Sequence, residues 1–316
     1  MHNYGGISML GYSLLVLLAL VAIIFFIFTW ILSGKVIHPL VKGYEYTYKR
    51  NLHKKNFDEN LYHGWIKSDF FIPSQYGYNL SCELLESDIY ENIGEKIKVM
   101  ILVHGITWSK YSSLKYADIF IKKGFKVLIY DHRNHGLSGK APTTMGYYEK
   151  YDLKTVIDWC YKTFGEDIEV ATHGESMGAA TVLAHLEIDN RPKVVIADCG
   201  YSDLYKLLEY QLKIRYHLPS FPFIPVAAQF IKMRAGFNIN DVSPIMVVEN
   251  IEKPILFIHG ENDHYVPTYM GKELYEAKKD NKELFIAPNA RHAESQIKNP
   301  KEYEEVVDKF LDKFFN

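Results

Sequence analysis

Six short apolar runs recur along this chain, each closed by a glycine, a proline or a polar loop. They are KVMILVHG (98–105), FKVLIYD (125–131), IEVATH (168–173), VVIADCG (194–200), PILFIHG (254–260) and ELFIAP (283–288). KVMILV and KVLIY are unbroken, which marks strands covered on both faces. Helix-patterned stretches separate the runs: YSSLKYADIFIKKG, YEKYDLKTVIDWCYKTFG and MGAATVLAHLEI, with EYEEVVDKFLDKFF closing the chain. Gly124 and Gly165 stand where the first two helices should stop. Strands alternating with helices predict an α/β domain with a mostly parallel central sheet and helices on both faces. Upstream, WIKSDFFIPSQYGYNLSCELLES (65–87) alternates around a YGYN turn and reads as an antiparallel pair.

The chain has 316 residues, enough for one large core, and a formal net charge of -2, which gives no general attraction to nucleic acid. Its 3 cysteines are widely spaced and match neither a disulfide framework nor a metal-ligand pattern, so neither metal nor cofactor is expected. The N-terminus departs from this globular pattern. From Leu14 to Leu32 no residue is charged, and Trp30 stands near the end of the run. About 20 apolar residues cross a hydrocarbon core. A signal peptide would have a basic leader and a shorter apolar stretch, and neither is present. Residues 1–34 are therefore expected to anchor the chain in the cell membrane by a single pass. Lys35, Lys42, Lys49, Arg50, Lys54 and Lys55 follow the run and no basic residue precedes it, which predicts a cytoplasmic C-terminal domain. Residues 35–64 read as a juxtamembrane connector without strong period, either with a short helix resting near the membrane surface or as a plain solvated linker. Residues 65–316 form the globular domain. Within it, residues 201–250 carry YHLPSFPFIP, whose three prolines resist one long helix and suggest a cap of short helices over the sheet edge.

GESMG (174–178) follows a strand and precedes a helix. In that context the chain reverses sharply at Ser176 and pushes its hydroxyl out of the sheet. The following helix aims its first N–H groups at the same point. A serine needs a base, and the base an orienting acid. HGENDHYVP follows PILFIHG and offers Asp263, preferred over Glu261 and over Asp198; NARHAES follows the last strand and offers His292. A second oxyanion N–H is expected just after the His-Gly of VHGITWS, from Ile106 or its neighbour Thr107, to partner that of Met177. His104, His173 and His259 each precede a glycine at a strand end and read as structural. His132 and His135 share a loop but lack a third metal ligand. Glu175 either tunes the site's charge or faces solvent.

Through HGITWS, DHRNHGLSG, GESMG, HGENDHYVP and NARHAES, residues 65–316 resemble the α/β-hydrolase superfamily, in particular membrane-anchored bacterial members with a HGITWS oxyanion loop. The resemblance implies the α/β-hydrolase fold, a triad of Ser176, His292 and Asp263, and oxyanion donors from Ile106 and Met177. It gives the Asp-Arg loop a structural role, with Asn134 where glycine is common. The expected activity is serine hydrolysis of carboxylic esters, on small-molecule or lipid esters with apolar acyl groups. A peptidase or amidase is the alternative, with Glu175 or Glu209 receiving a free amine. A catalytically silent membrane-tethered binding protein is the third reading. An acyltransferase differs only in its acceptor.

Overall fold

In the computed structural model, which describes residues 9–89 and 96–315, the apolar runs become neighbours in one sheet. The chain begins with α1 (Met9–Ile37), α2 (Tyr44–His53) and α3 (Glu59–Gly64), then enters the hairpin β1 (Ile66–Pro73) and β2 (Asn79–Glu86). The alternating part follows: β3 (Lys98–Val103), α4 (Leu114–Ile121), β4 (Phe125–Tyr130), α5 (Glu149–Phe164), β5 (Glu169–Glu175), α6 (Met177–His185) and β6 (Val195–Asp198). After it come α7 (Leu204–Tyr216), α8 (Phe223–Ala235), α9 (Pro244–Val248), β7 (Ile255–Gly260), α10 (Thr268–Ala277), β8 (Lys282–Ala287), α11 (Ser295–Lys298) and α12 (Pro300–Phe314).

Among the described residues the sheet has eight strands in the order β1-β2-β4-β3-β5-β6-β7-β8. Only the β1–β2 and β2–β4 pairs are antiparallel. The register aligns the strand ends: Val103 pairs with Tyr130 on one side and Gly174 on the other, and Gly260 pairs with Ala287. The loops after β3, β4, β5, β7 and β8 therefore leave from one edge. The order also runs outward both ways from β3, a topological switch point, where open α/β sheets place their sites.

One core layer packs α5, α6 and α10 on the sheet through residues such as Val156, Leu183 and Leu274. The opposite layer packs α4 and α12 through Phe120, Val307 and Phe310. A third apolar cluster lies over the C-terminal strand edge and joins Met177 to Leu204, Leu212 and Ile231 of α7 and α8, and to Ile37 of α1. The cap thus breaks into α7 and α8 at the proline-rich stretch, and Pro225 is tolerated because it sits in the first turn of α8. The last part of 201–250 behaves differently. Val248 of α9 joins the core beneath α6 and α10, so this part packs on the flank of the sheet.

Near the N-terminus two expectations change. α1 continues to Ile37, past the expected boundary at residue 34, and residues 1–8 of the anchor lie outside the described residues. The segment 35–64 is packed. Tyr44 and Tyr48, one helical turn apart, pack at an angle on Tyr111 at 4.9 and 5.3 Å between ring centres, and Arg50 lies 5.2 Å from the Trp108 ring. The Lys42 N–H donates to the Thr107 carbonyl (2.7 Å), and the Thr143 N–H to the Ile37 carbonyl (2.9 Å). α1 is long and apolar enough to cross a membrane, and most of its large apolar side chains are exposed.

Candidate active site

Ser176 sits between β5 and α6 at φ 57°, ψ -115°, a conformation costing a non-glycine residue roughly 1–3 kcal/mol. Close packing holds it there. A Cβ on Gly178 would overlap the Val103 carbonyl, and one on Gly174 would overlap the Gly178 carbonyl. The Ser176 N–H donates to the Asp198 carbonyl on the neighbouring strand (2.8 Å).

His292, in the loop after β8, places Nε2 2.9 Å from Ser176 Oγ and Nδ1 2.7 Å from Asp263 Oδ2. Asp263 comes from the loop after β7, and its Oδ1 accepts the N–H groups of Tyr265 (2.8 Å) and Val266 (3.0 Å). Burial works against this carboxylate, but hydrogen bonds from His259 and His292 outweigh it and hold Asp263 well below the usual range. The Tyr265 ring lies 4.8 Å from the His292 ring. The other two acids lie elsewhere: Glu261 is exposed and accepts the Asn289 N–H (2.9 Å), and Asp198 is buried with Ser295 Oγ at 3.1 Å.

The loop after β3 approaches the nucleophile so closely that a Cβ on Gly105 would lie 3.3 Å from Ser176 Cβ. The two candidate donors in that loop separate here. The Thr107 N–H donates to His135 Nε2 (3.2 Å), with Thr107 held at φ 72°. Among the described residues the N–H groups of Ile106 and Met177 meet no hydrogen-bond acceptor. Behind the loop, His104, His132 and His135 form a buried cluster, with rings 4.6 and 5.3 Å from that of His104. Their nitrogens serve the backbone: His104 Nε2 accepts the His132 N–H (3.0 Å), and His135 Nδ1 meets the Arg133 carbonyl (2.7 Å). Burial pushes His104 and His135 down to about 4, so both are neutral braces. Sequence reasoning read His104 as structural and paired His132 with His135, but did not join the three, because His104 arrives from another strand. In the same loop Asn134 takes φ 64°, which asparagine tolerates, and Arg133 Nε binds Asp152 (2.8 Å).

Comparison with known proteins gives a consistent picture. A family model described as serine aminopeptidase, S33, matches residues 94–197. The uncharacterized protein YqkD of Bacillus subtilis is 40% identical over 248 residues, 78% of this chain and 79% of that protein. The structure of the Pyrococcus furiosus esterase Pf2001 superposes with a TM-score of 0.66 at 25% identity, covering 83% of this chain and 96% of that one. The chain belongs to the α/β-hydrolase superfamily. A further relative, the Xenopus tropicalis lysophosphatidylserine lipase ABHD12, is 24% identical over 196 residues, 58% of this chain and 48% of that protein.

Beneath Ser176 of this α/β-hydrolase lies a polar network that sequence reasoning did not find. Glu175 is buried. Its Oε2 pairs with Lys115 Nζ (2.5 Å) and accepts from Tyr116 Oη (2.6 Å). Burial alone would raise the Glu175 carboxyl, but the Lys115 charge wins and holds it below its usual range. Burial and the Glu175 charge push neighbouring Asp198 up to about 6. Lys115 Nζ also donates to the Ala293 carbonyl (2.8 Å), one residue from His292. Glu175 therefore neither faces solvent nor offers a free carboxylate to an amine. No local signal announced Lys115, one of two charges in the apolar helix α4.

The Cys199 thiol brings its sulfur within 4.8 Å of ligand atoms of Asp263 and His292. This donor set suits a metal poorly, because burial pushes the thiol well above its usual value and the other two groups engage each other. Beside the site, Ile106, Tyr265 and Met145 open into an apolar cavity that continues between α7 and α8.

Proposed function

We propose that this hydrolase cleaves carboxylic esters through an acyl-enzyme on Ser176. The observation that carries the reading is His292, which bridges Ser176 and Asp263 at 2.9 and 2.7 Å. His292 takes the Ser176 proton as Oγ attacks the acyl carbonyl, and Asp263 stabilises the imidazolium that results. The N–H groups of Ile106 and Met177 receive the oxyanion; one such donor is typically worth about 3 kcal/mol of barrier. His292 returns the proton to the leaving alcohol. It then deprotonates a water, which attacks the acyl carbon and frees the acid.

Ester substrates are favoured over peptides by the charge of the cavity. Its lining includes Lys35 and Arg215 but no carboxylate to receive a free amine. Of the two acids considered for that role, Glu175 is committed to Lys115, and Glu209 is exposed on α7. The apolar walls favour an apolar acyl group, in line with relatives described as an esterase and a lysophosphatidylserine lipase. We assign α1 as a single-pass anchor, with the basic residues from Lys35 to Lys55 keeping the domain cytoplasmic; protease added outside spheroplasts should leave the domain intact.

The test is fluorophosphonate labelling of the full chain in detergent beside Ser176→Ala. Labelling of the wild type and none of the variant is expected. Equal labelling of both, or of neither in a folded sample, would replace this reading with that of a silent membrane-tethered protein.

A further inference from the structure

The cap leans on the membrane helix. At one end of α8, Arg234 donates to the Trp30 carbonyl (3.0 Å) and the Ser33 hydroxyl (2.7 Å), with its guanidinium 4.2 Å from the Trp30 ring. At the other end, Phe223 packs on Phe25 and Phe28, with ring centres 5.2 and 5.9 Å away. Lys35 Nζ donates to Tyr216 Oη at the end of α7 (2.9 Å). α1 and α8 thus lie side by side from Phe25 to Ser33.

The chemistry of these contacts sets their depth. Trp30 and Arg234 are the kinds of residue that sit at a lipid–water interface. Phe25 precedes Trp30 by five residues, so Phe223 lies roughly 7 Å further toward the hydrocarbon. No residue from Phe221 to Ile231 is charged, and Phe221 and Met233 are largely exposed. The uncharged start of α8 thus dips into the membrane alongside α1, and its charged end stays at the surface.

The cavity beside the active site lies on this seam. Leu32 and Val36 of α1 form one wall, and Ile224 and Ala228 of α8 another; its inner end reaches Ile106 and Tyr265. It is a cavity of about 160 Å³, open at one side. The geometry points to a membrane-fed acyl site: the last turns of the anchor form a wall of the substrate cavity, and the acyl chain of a bilayer-resident ester enters between α1 and α8 without crossing water. This rests on the serine-esterase reading. It makes α1 part of the binding site as well as a tether, and makes Leu32 and Val36 determinants of chain-length preference.

The test uses the full chain in phosphatidylcholine vesicles. Two substrates are compared by kcat/KM: monohexadecanoylglycerol carried in the bilayer, and 4-nitrophenyl butanoate added from water. Leu32→Trp, which fills the cavity, is expected to lower the long-to-short ratio by ~10-fold or more, the scale on which a pocket discriminates small changes in apolar bulk. Leu17→Trp, on the exposed face of α1, is expected to leave the ratio unchanged. An unaltered ratio in Leu32→Trp, with Ser176 still labelled by fluorophosphonate at the wild-type rate, overturns the proposal while the esterase reading stands. Should Leu32→Trp not fold, Val36→Ala enlarges the same wall. It is expected to shift preference toward octadecanoyl over hexadecanoyl monoesters, and no shift overturns the proposal. A folded wild type that takes up no fluorophosphonate ends both readings.

Discussion

Replacing Lys115 by methionine keeps the unbranched side chain to within one atom and removes its charge. Glu175 is then a buried anion without a cation, and breaking such a pair costs about 3–5 kcal/mol. The structure allows a closer figure. An abandoned carboxylate escapes by taking up a proton, so the penalty cannot exceed the cost of protonating it. From its ordinary value of 4.5 that cost is about 3 kcal/mol at pH 7 and less than about 1 kcal/mol at pH 5. The lost hydrogen bond to the Ala293 carbonyl adds about 1 kcal/mol at either pH. Lys115→Met should therefore lose about 4 kcal/mol at pH 7 and less than about half of that at pH 5. The sign follows from linkage: Glu175 is held low in the fold, so the pair stabilises above the ordinary carboxylate value and loses its effect as pH falls through the folded one. The assay is urea unfolding in detergent, followed by tryptophan fluorescence at both pH values. Glu175→Gln in the Lys115→Met background should restore most of the loss at pH 7. Equal losses at both pH values, or a double variant no better than the single one, would refute the reasoning.

Asp263→Asn should slow fluorophosphonate labelling of Ser176 by a factor on the order of 10⁴, the effect of fixing the wrong imidazole tautomer in a serine triad; an unchanged labelling rate removes Asp263 from its assigned role. Gly178→Ala drives a methyl group into the Val103 carbonyl and should cost at least about 3 kcal/mol, so a wild-type thermal midpoint would show that the elbow is slack. His104 and His135 are held down to about 4 and His173 to about 3, against an ordinary 6.5. The unfolded chain then binds protons that the fold refuses, so stability is full above pH 6.5 and declines as pH drops toward 4. A thermal midpoint flat across that interval would contradict neutral burial of these rings.

Legibility in the sequence depended on whether the physics was local. Strands buried on both faces write unbroken apolar runs, and β3 and β4 were plain for that reason. Ser176 stood out because its turn demands glycines at fixed offsets. Asp263 and His292 stood out because loops leaving one sheet edge recur in chain order. The packing of the connector was not legible because its aromatic residues answer to Tyr111, far along the chain, so their spacing carries only a faint helical period. Lys115 was invisible for a related reason, since its partner Glu175 belongs to another strand. Residues 201–250 were read as one cap, yet Val248 turns back to the sheet core, a choice between two apolar surfaces that composition cannot express.

Two main-chain hydrogen bonds, Lys42 to Thr107 and Thr143 to Ile37, fasten the chain leaving α1 to the loops after β3 and β4. Being main-chain bonds, they are indifferent to side-chain drift, and only proline at a donor position removes one. The few residues between Ile37 and Lys42 are free to vary in composition while the angle between helix and domain stays put. Under the proposed single-pass reading, α1 acts as a lever. A span longer than the hydrocarbon is thick tilts to fit, and every degree of that tilt turns the catalytic mouth against the lipid surface. Bilayer thickness then becomes an input to this protein's orientation, set by the cell through its lipids and read without any ligand.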